Sequence, residues 1–431
     1  MNVSVVGSGS LGTTVAACLA DLGHEVTAVD TDEATVEALS RGETPVDEPG
    51  LGPMVTAYAG RGLTATTDHA AILETDLTML ASPTPTDEDG SPDTGALLAA
   101  AEAVGAALAD ADGYHLVVVK STALPGFVES ELLPTLEAAS GMTEGEDFGV
   151  AVNPAFLRAG SAVDDFMEPD RIVIGTDGDD RALDRLAELY HPLVSDWDVP
   201  VVETGRQEAT MIKYANSAFL AAKASLINDI GNVCKEVGVD TYAVADALGE
   251  DDRISERFLQ SGVGWGGSRL PADTTALASA ARDAGYEPAM LEAAIEVNDR
   301  QPQRLLSLLE SHCELAGARV AVLGLASEAG SDDVRGSQAK PVIAGLRDRG
   351  ASVVAYDPRA ADAMAETYPD IEYADSAAAA LDGADAAAFL AGWPAFADLD
   401  AEFDAMAEPV VVDGRRIVGR REGLVYEGLT W

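Results

Sequence analysis

Short apolar runs, punctuated by glycine, proline and acidic residues, recur along the first part of the chain. Val3 to Val6, Val26 to Val29, Leu77 to Ala81 and Leu116 to Val119 are the clearest. Their apolar positions are continuous rather than alternating, which predicts strands buried on both faces, as in a parallel sheet covered by helices. Between the first two, Thr13 to Leu22 carries a helical pattern that Gly23-His24 ends, glycine being the residue that most readily stops a helix. From Glu208 to Val237 the pattern changes. A long apolar-periodic run with no proline and one internal glycine, Gly231, predicts an extended helix. Strands then resume at Arg319 to Leu325, Val353 to Asp357, Ala386 to Leu390 and Val410 to Asp413, the last expected to close a second sheet. The pattern predicts an α/β protein with two sheets and a long helical segment between them.

Charge narrows the function classes. The 431 residues carry 74 acidic and 27 basic side chains, a formal charge of −47. A nucleic-acid surface needs the opposite sign, so none is expected. The chain is not an acidic disordered tail, because 47% of it is apolar and that fraction is periodic. Lysine is reduced to Lys120, Lys213, Lys223, Lys235 and Lys340. An acidic, lysine-poor surface on a folded protein predicts a salt-rich cytosol, where repulsion is screened. Three cysteines, Cys18, Cys234 and Cys313, give neither a disulfide framework nor a zinc pattern, and the five histidines show no ligand spacing, so no metal is expected. No apolar run has transmembrane length, and Met1 leads straight into a strand; a cytoplasmic protein without membrane contact is expected.

The first strand enters Gly7-Ser8-Gly9-Ser10-Leu11-Gly12, and the second ends at Asp30. Gly7 suits the tight turn, Gly9 lets a pyrophosphate approach, and Gly12 permits close helix–strand packing. Phosphates would sit on the helix N-terminus. Asp30 would accept the adenosine ribose hydroxyls and favour NAD over NADP. The alternative is a glycine turn with a structural role only. Cys18, inside the helix, reads as a small core residue. With the later strands this gives two Rossmann-like domains joined by a long central helical segment. The expected boundaries are 1–202 for the NAD-binding part, 203–302 for a helical bridge and dimerisation part, and 303–431 for a smaller nucleotide-binding half.

Four glycines, Gly262, Gly264, Gly266 and Gly267, crowd the stretch from Ser261 to Asp273, which reads Ser-Gly-Val-Gly-Trp-Gly-Gly-Ser-Arg-Leu-Pro-Ala-Asp. They predict a backbone passing close to something, at φ angles other residues avoid. Further short motifs accompany it. They are Pro45-Val46-Asp47-Glu48-Pro49-Gly50-Leu51, Lys120-Ser121-Thr122-Ala123-Leu124-Pro125-Gly126, Asn153-Pro154-Ala155-Phe156-Leu157-Arg158-Ala159-Gly160 and Pro169-Asp170-Arg171-Ile172-Val173-Ile174-Gly175. Together they resemble the UDP-glucose/GDP-mannose 6-dehydrogenase family over nearly the whole chain.

The resemblance implies NAD as cofactor, a sugar nucleotide (a UDP-sugar first) as substrate, and a homodimer or higher homo-oligomer built on the long helix. It implies that Thr84, in Ser82-Pro83-Thr84-Pro85, contacts the cofactor, although a proline-rich turn is an equal reading. Thr122 would lie beside the reacting carbon and the cofactor. Arg335 would join the cofactor site. Lys213 and Asp273 would be catalytic, and Phe156, Leu157, Arg158, Lys213, Phe258, Gly264 and Gly266 would line the substrate. Arg253 would reach a neighbouring subunit's nucleotide site; the alternative is an exposed helix-cap arginine. Asn298-Asp299-Arg300-Gln301-Pro302 would be a turn.

The family's reagents are what this chain lacks. The nucleophilic cysteine falls on Arg269, the loop lysine on Ala272, and two carboxylates on Ala155 and Ala159. The helix asparagine falls on Ser217, with Asn216 one residue early, and a diphosphate lysine becomes Glu328. Arginine stays protonated and carries no free lone pair, so it is no nucleophile. Two functions follow from the resemblance. One is an NAD-dependent oxidoreductase acting on a sugar nucleotide CH–OH by hydride transfer alone, without the covalent cysteine step. The other is a catalytically silent NAD- and nucleotide-binding protein that regulates or assembles with an active relative.

Overall fold

The computed structural model describes every residue except 88 and 89, so part of the acidic turn expected from Asp87 to Asp93 lies outside the described residues. The chain divides into two compact units, Met1–Asn216 and Ser217–Trp431. A helix of 32 residues, Arg206–Val237, begins in the first and ends in the second. Among the described residues no helix is long and apolar enough to cross a membrane.

The first unit is built on β1 (Asn2–Val6), β2 (Glu25–Val29), β3 (Leu63–Thr66), β4 (Leu77–Leu80), β5 (His115–Val119), β6 (Phe148–Val152), β7 (Ile172–Gly175) and β8 (Val201–Thr204). They form one sheet in the order β3-β2-β1-β4-β5-β6-β7-β8. Every pairing is parallel except β6 with β7. The continuous apolar runs explain why. In β1, Val3 and Val5 enter one core while Val6 enters the core on the opposite face. In β5, Leu116 and Val118 face the first core, and Val117 and Val119 the second. Each such side chain contributes about 2 kcal/mol on burial, so slipping the register by one residue gains nothing on either face. Strand order reverses between β1 and β4. In open α/β sheets ligands bind outside the strand carboxyl ends at such a point.

The second unit carries β9 (Arg319–Leu323), β10 (Ser352–Tyr356), β11 (Glu372–Tyr373), β12 (Ala386–Phe389), β13 (Val410–Asp413) and β14 (Val425–Gly428). Their order is β11-β10-β9-β12-β13-β14, all parallel. Contrary to the sequence expectation, Val410–Asp413 does not close this sheet. Val425–Gly428 pairs outside it, with Val410 opposite Val425. That strand is short and carries a glutamate, as edge strands do, so its pattern gives little strand signal.

A second expectation is corrected on the helix Ala289–His312, which contains Asn298 to Pro302 in its interior rather than as a turn. An interior proline costs a helix about 3 kcal/mol. Tertiary bonding on the same face offsets it. The Asn298 carboxamide accepts from Trp265 N at 2.8 Å and donates to Trp265 O at 3.1 Å, while Gln301 Nε2 donates to Gly262 O at 2.6 Å.

Those contacts also explain the glycine stretch. A Cβ on Gly262 would stand 2.2 Å from Gly414 O, on Gly264 2.5 Å from Asn298 Oδ1, and on Gly266 2.3 Å from Gly336 O. What the backbone passes close to is therefore the protein itself: two loops, at Gly414 and Gly336, and the Asn298 side chain. The stretch is not all loop, since Arg269–Asp283 is helical.

Candidate functional site

Gly7 follows β1 with φ +95°, and its N–H donates to Val29 O at 2.8 Å, closing the turn between the first two strands. A Cβ on Gly12 would lie 1.7 Å from Gly7 O, so the first helix, Ser10–Asp21, packs against the turn only because that residue is glycine. Above Gly9 a Cβ would meet no protein atom within 4 Å, and no side chain caps the helix that Gly9 begins. Its first N–H groups remain available to an anion. Asp30 Oδ2 accepts from Ser8 N at 2.5 Å and Oδ1 from Asp32 N at 3.0 Å. Two backbone donors fix the half-buried carboxylate and leave lone pairs for ribose hydroxyls. The geometry fits the adenosine half of a dinucleotide.

The second sheet repeats the turn with a different outcome. Gly324 after β9 also has φ +95°, and its N–H donates to Tyr356 O at 2.9 Å. Asp357 occupies the position equivalent to Asp30. It is buried and accepts from Leu325 N, Ala326 N, Arg359 N, Ala360 N and Trp393 Nε1 at 2.7 to 3.1 Å. Five donors consume its acceptor capacity. Asp357 holds the fold, and nothing in the sequence marks it; its place after an apolar strand gives no sign of how many donors it meets.

At the carboxyl ends of β4 and β5, Ser121 Oγ donates to Leu80 O at 3.1 Å and Ser82 O at 2.8 Å. This ties together the two loops that carry Thr84 and Thr122, both half-buried. Lys213 Nζ donates to Ala155 O at 2.7 Å and lies 5.8 Å from the Phe156 ring, which Arg171 also covers at 4.4 Å. Leu157 packs on the first core, and Arg158 is turned to Asp165 at 2.6 Å. Asn216 accepts from Arg171 Nη2 at 2.8 Å.

Lys120, which the sequence marks only as the first residue of the Lys120-to-Gly126 motif, is only 5% exposed. Its Nζ donates to Asn153 Oδ1 at 2.7 Å and Tyr190 OH at 3.2 Å, between the Phe166 and Tyr190 rings. Burial, with the charge of Lys213 adding to it, pulls its pKa down to about 7. The Asn153–Ala155 segment thus receives both ammonium groups.

In the second unit, Ser217 Oγ donates to Asp273 Oδ2 at 2.6 Å, and both residues are buried. This buried hydrogen bond ties the long helix to the helix that carries Asp273. Arg269 is the first residue of the helix that carries Asp273. Gly264 and Gly266 are packed as described above. Phe258 is partly exposed with φ +63°. Arg253 is exposed and pairs with Asp251 at 2.6 Å, while Arg335 pairs with Asp333 at 2.8 Å and Glu328 faces solvent. The cysteines are all buried. Burial, with Asp21 adding to it, pushes the Cys18 thiol up to about 12, and burial raises that of Cys313.

Two nucleotide-type α/β units, one with an open aspartate at the strand end and one with its equivalent closed, are the arrangement of a dinucleotide-binding class of protein with a second nucleotide half. Comparison with known proteins gives the family. Residues 1–194 match the NAD binding domain, 207–300 the central domain and 321–420 the UDP binding domain of the UDP-glucose/GDP-mannose dehydrogenase family. The chain belongs to that family, and its cofactor is NAD. It is 54% identical, over the whole of both chains, to UDP-glucose 6-dehydrogenase AglM of Haloferax volcanii. It is 37% identical to UDP-glucose 6-dehydrogenase TuaD of Bacillus subtilis, covering 99% of this chain and 92% of that one. Among solved structures, a UDP-glucose dehydrogenase from Pyrobaculum islandicum matches with a TM-score of 0.93 and 38% identity, over 100% of this chain and 98% of that one.

Proposed function

We propose that the chain is an NAD-dependent oxidoreductase for a sugar nucleotide, a UDP-sugar by class. It oxidises a CH–OH carbon by hydride transfer without a covalent cysteine intermediate. We place it in polysaccharide biosynthesis in the cytoplasm of a salt-adapted cell. The observation that carries the reading is the state of the thiols. Cys18, Cys234 and Cys313 are all buried, while the helix after the glycine stretch opens with Arg269. A thiol must ionise to attack a carbonyl, and the Cys18 pKa, pushed up to about 12 by burial and then by Asp21, is far from that.

NAD, when bound, supplies the hydride acceptor. The glycine turn and Asp30 hold its adenosine half, and Thr84 and Thr122 form the wall nearest the sheet's carboxyl edge. Lys213, its ammonium fixed by the Ala155 carbonyl at 2.7 Å, stabilises the developing alkoxide as the C–H bond gives up its hydride to the cofactor, and the hydroxyl proton leaves to water. The product is a carbonyl compound, and the enzyme's oxidation stops there. Ala155 and Ala159 have no titratable group with which to activate water for a later hydrolysis.

We propose a homodimer or higher homo-oligomer formed through the long helix. Phe219, Leu226 and Val233 recur every seventh position and are 71%, 60% and 59% exposed. A repeated apolar stripe of this kind fits a second copy of the chain.

The test supplies UDP-glucose, other UDP-sugars and excess NAD, and reads NADH per sugar together with product mass. One NADH per sugar and a carbonyl product is expected. Release of uronic acid at two NADH per sugar refutes the loss of the covalent step. Binding of NAD and a sugar nucleotide with no NADH from any substrate establishes the silent binding protein instead. Restoring cysteine at Arg269→Cys alone should not yield uronic acid, since Ala155, Ala159, Ala272 and Glu328 remain.

A further inference from the structure

Of the chain's five lysines, two are buried. Lys120 and Lys213 are each 5% exposed, and both donate to one short segment, Asn153-Pro154-Ala155. Lys120 follows β5 and meets the Asn153 side chain, whereas Lys213 comes from the long helix and meets the Ala155 carbonyl.

Enclosing Lys120 is costly. Among the described residues its ammonium pairs with no carboxylate. Phe166 of the helix Ala162–Met167 and Tyr190 of the helix Asp180–Trp197 set their rings 5.8 and 5.7 Å from it. The charge it feels is that of Lys213, which has the same sign. An apolar side chain of similar volume would fill such a site at less cost, so packing alone does not account for a lysine. Buried amines perturbed in this way concentrate where chemistry is done.

What the ammonium does is lock a joint. Lys120 N and Ser121 N both donate to Leu80 O, at 3.0 and 2.9 Å, which fixes the backbone there to the end of β4. Lys120 Nζ donates to Asn153 Oδ1 at 2.7 Å, and Tyr190 OH donates to the same oxygen at 2.5 Å. Asn153 Nδ2 donates in turn to Val173 O in β7 at 2.8 Å. These three bonds hold the Asn153 side chain in one place. Pro154 fixes its own φ and keeps the residue before it extended. The Ala155 carbonyl therefore sits where Asn153 puts it, and Lys213 Nζ lies 2.7 Å from that carbonyl.

We propose that Lys120 is a positioning residue of the hydride-transfer site, setting the place of the Lys213 ammonium through Asn153 and the Ala155 carbonyl. That role rests on the reading of Lys213 as the group that steadies the alkoxide. Thr122 stands two residues after Lys120, so one buried ammonium fixes the cofactor wall and the alkoxide donor relative to each other.

Two measurements test it. With a UDP-sugar and NAD, Lys120→Met should lower kcat by about ten- to hundredfold, the scale of a misplaced reacting group. It should leave KM for both within about threefold. NAD affinity and the melting temperature report whether the variant is folded. An unchanged kcat overturns the proposal, and so does a kcat loss matched by an equal loss of NAD affinity. The second measurement needs no turnover. Protein carrying isotope-labelled lysine has five such residues to resolve by NMR. Lys120 should titrate near pH 7, where burial and then the charge of Lys213 bring its pKa, while Tyr190 stays protonated because burial raises its own. The Lys213 Cε signal should step with the same midpoint. In Lys120→Met that step should vanish, and the Lys213 signal should move from its place in the unaltered chain. A Lys213 signal indifferent both to the titration of Lys120 and to its removal overturns the proposal. If no sugar nucleotide yields NADH, the reaction assigned to the site fails, and the Lys213 signal still decides whether Lys120 sets its place.

Discussion

Replacing Lys120 with methionine should stabilise the protein at neutral pH and destabilise it in strong alkali. Among the described residues Lys120 is buried with no carboxylate partner; its hydrogen bonds go to Asn153 Oδ1 and Tyr190 OH. Burial, with Lys213 beside it, lowers its pKa from 10.5 to about 7. Between those values the unfolded chain holds a proton that the folded chain has released. Stability contributed at this site therefore rises with pH across the window and is lowest at pH 7 and below. The gap corresponds to about 4 kcal/mol of cost at pH 7. Methionine fills similar volume without the charge. It forfeits two hydrogen bonds at about 1 kcal/mol each, while Asn153 Oδ1 keeps the Tyr190 hydroxyl at 2.5 Å. The net expectation is a gain of about 2 kcal/mol at pH 7, or about 5 °C for a unit of this size. Near pH 10.5 the sign reverses, to a loss of about 1–2 kcal/mol, because the neutral amine has nothing left to gain by removal. Tyr190, whose own pKa burial raises, does not titrate in the window. Paired thermal melts of the two proteins at pH 7, 8.5 and 10.5 in constant salt measure the difference directly. A difference that does not change with pH, or a methionine variant less stable at pH 7, would refute the reasoning.

Asp30 predicts NAD over NADP, because its carboxylate repels a 2′-phosphate while accepting ribose hydroxyls; Asp30→Ser should narrow that preference in calorimetric titrations, and tighter NADP binding by the unaltered chain would contradict it. Stability should rise with salt, since at about 1 M the screening length falls to roughly 3 Å. Melting temperatures in about 0.1 M and 2 M potassium chloride should differ by more than about 10 °C, and equal midpoints would count against a salt-adapted surface. Phe219→Asp with Leu226→Asp should shift light scattering from an oligomer to the 44.5 kDa monomer. An unaltered chain that is already monomeric would remove the long helix as an interface.

What the sequence determined by itself is what repeats locally. Continuous Val, Leu and Ala runs can be buried only between helices, so the central parallel strands of both sheets were legible, as was the long helix with no proline; the antiparallel β6–β7 pairing and the edge strand β14 were not. Gly7, Gly12 and Asp30 were legible because each answers a local constraint: a left-handed turn, a close helix approach, a carboxylate at a strand end. What only the tertiary structure decided depends on residues far apart in the chain. Asp30 and Asp357 end equivalent strands, yet one is left open by two donors and the other is closed by five. Pro302 reads as a turn until Asn298 and Gln301 are seen bonded to the glycine stretch. Lys120 reads only as the first residue of a motif until two rings and an asparagine are seen to enclose it. Local pattern sets which backbone forms; the count of partners around a polar group is a three-dimensional quantity, and it decides whether that group holds the fold or faces a ligand.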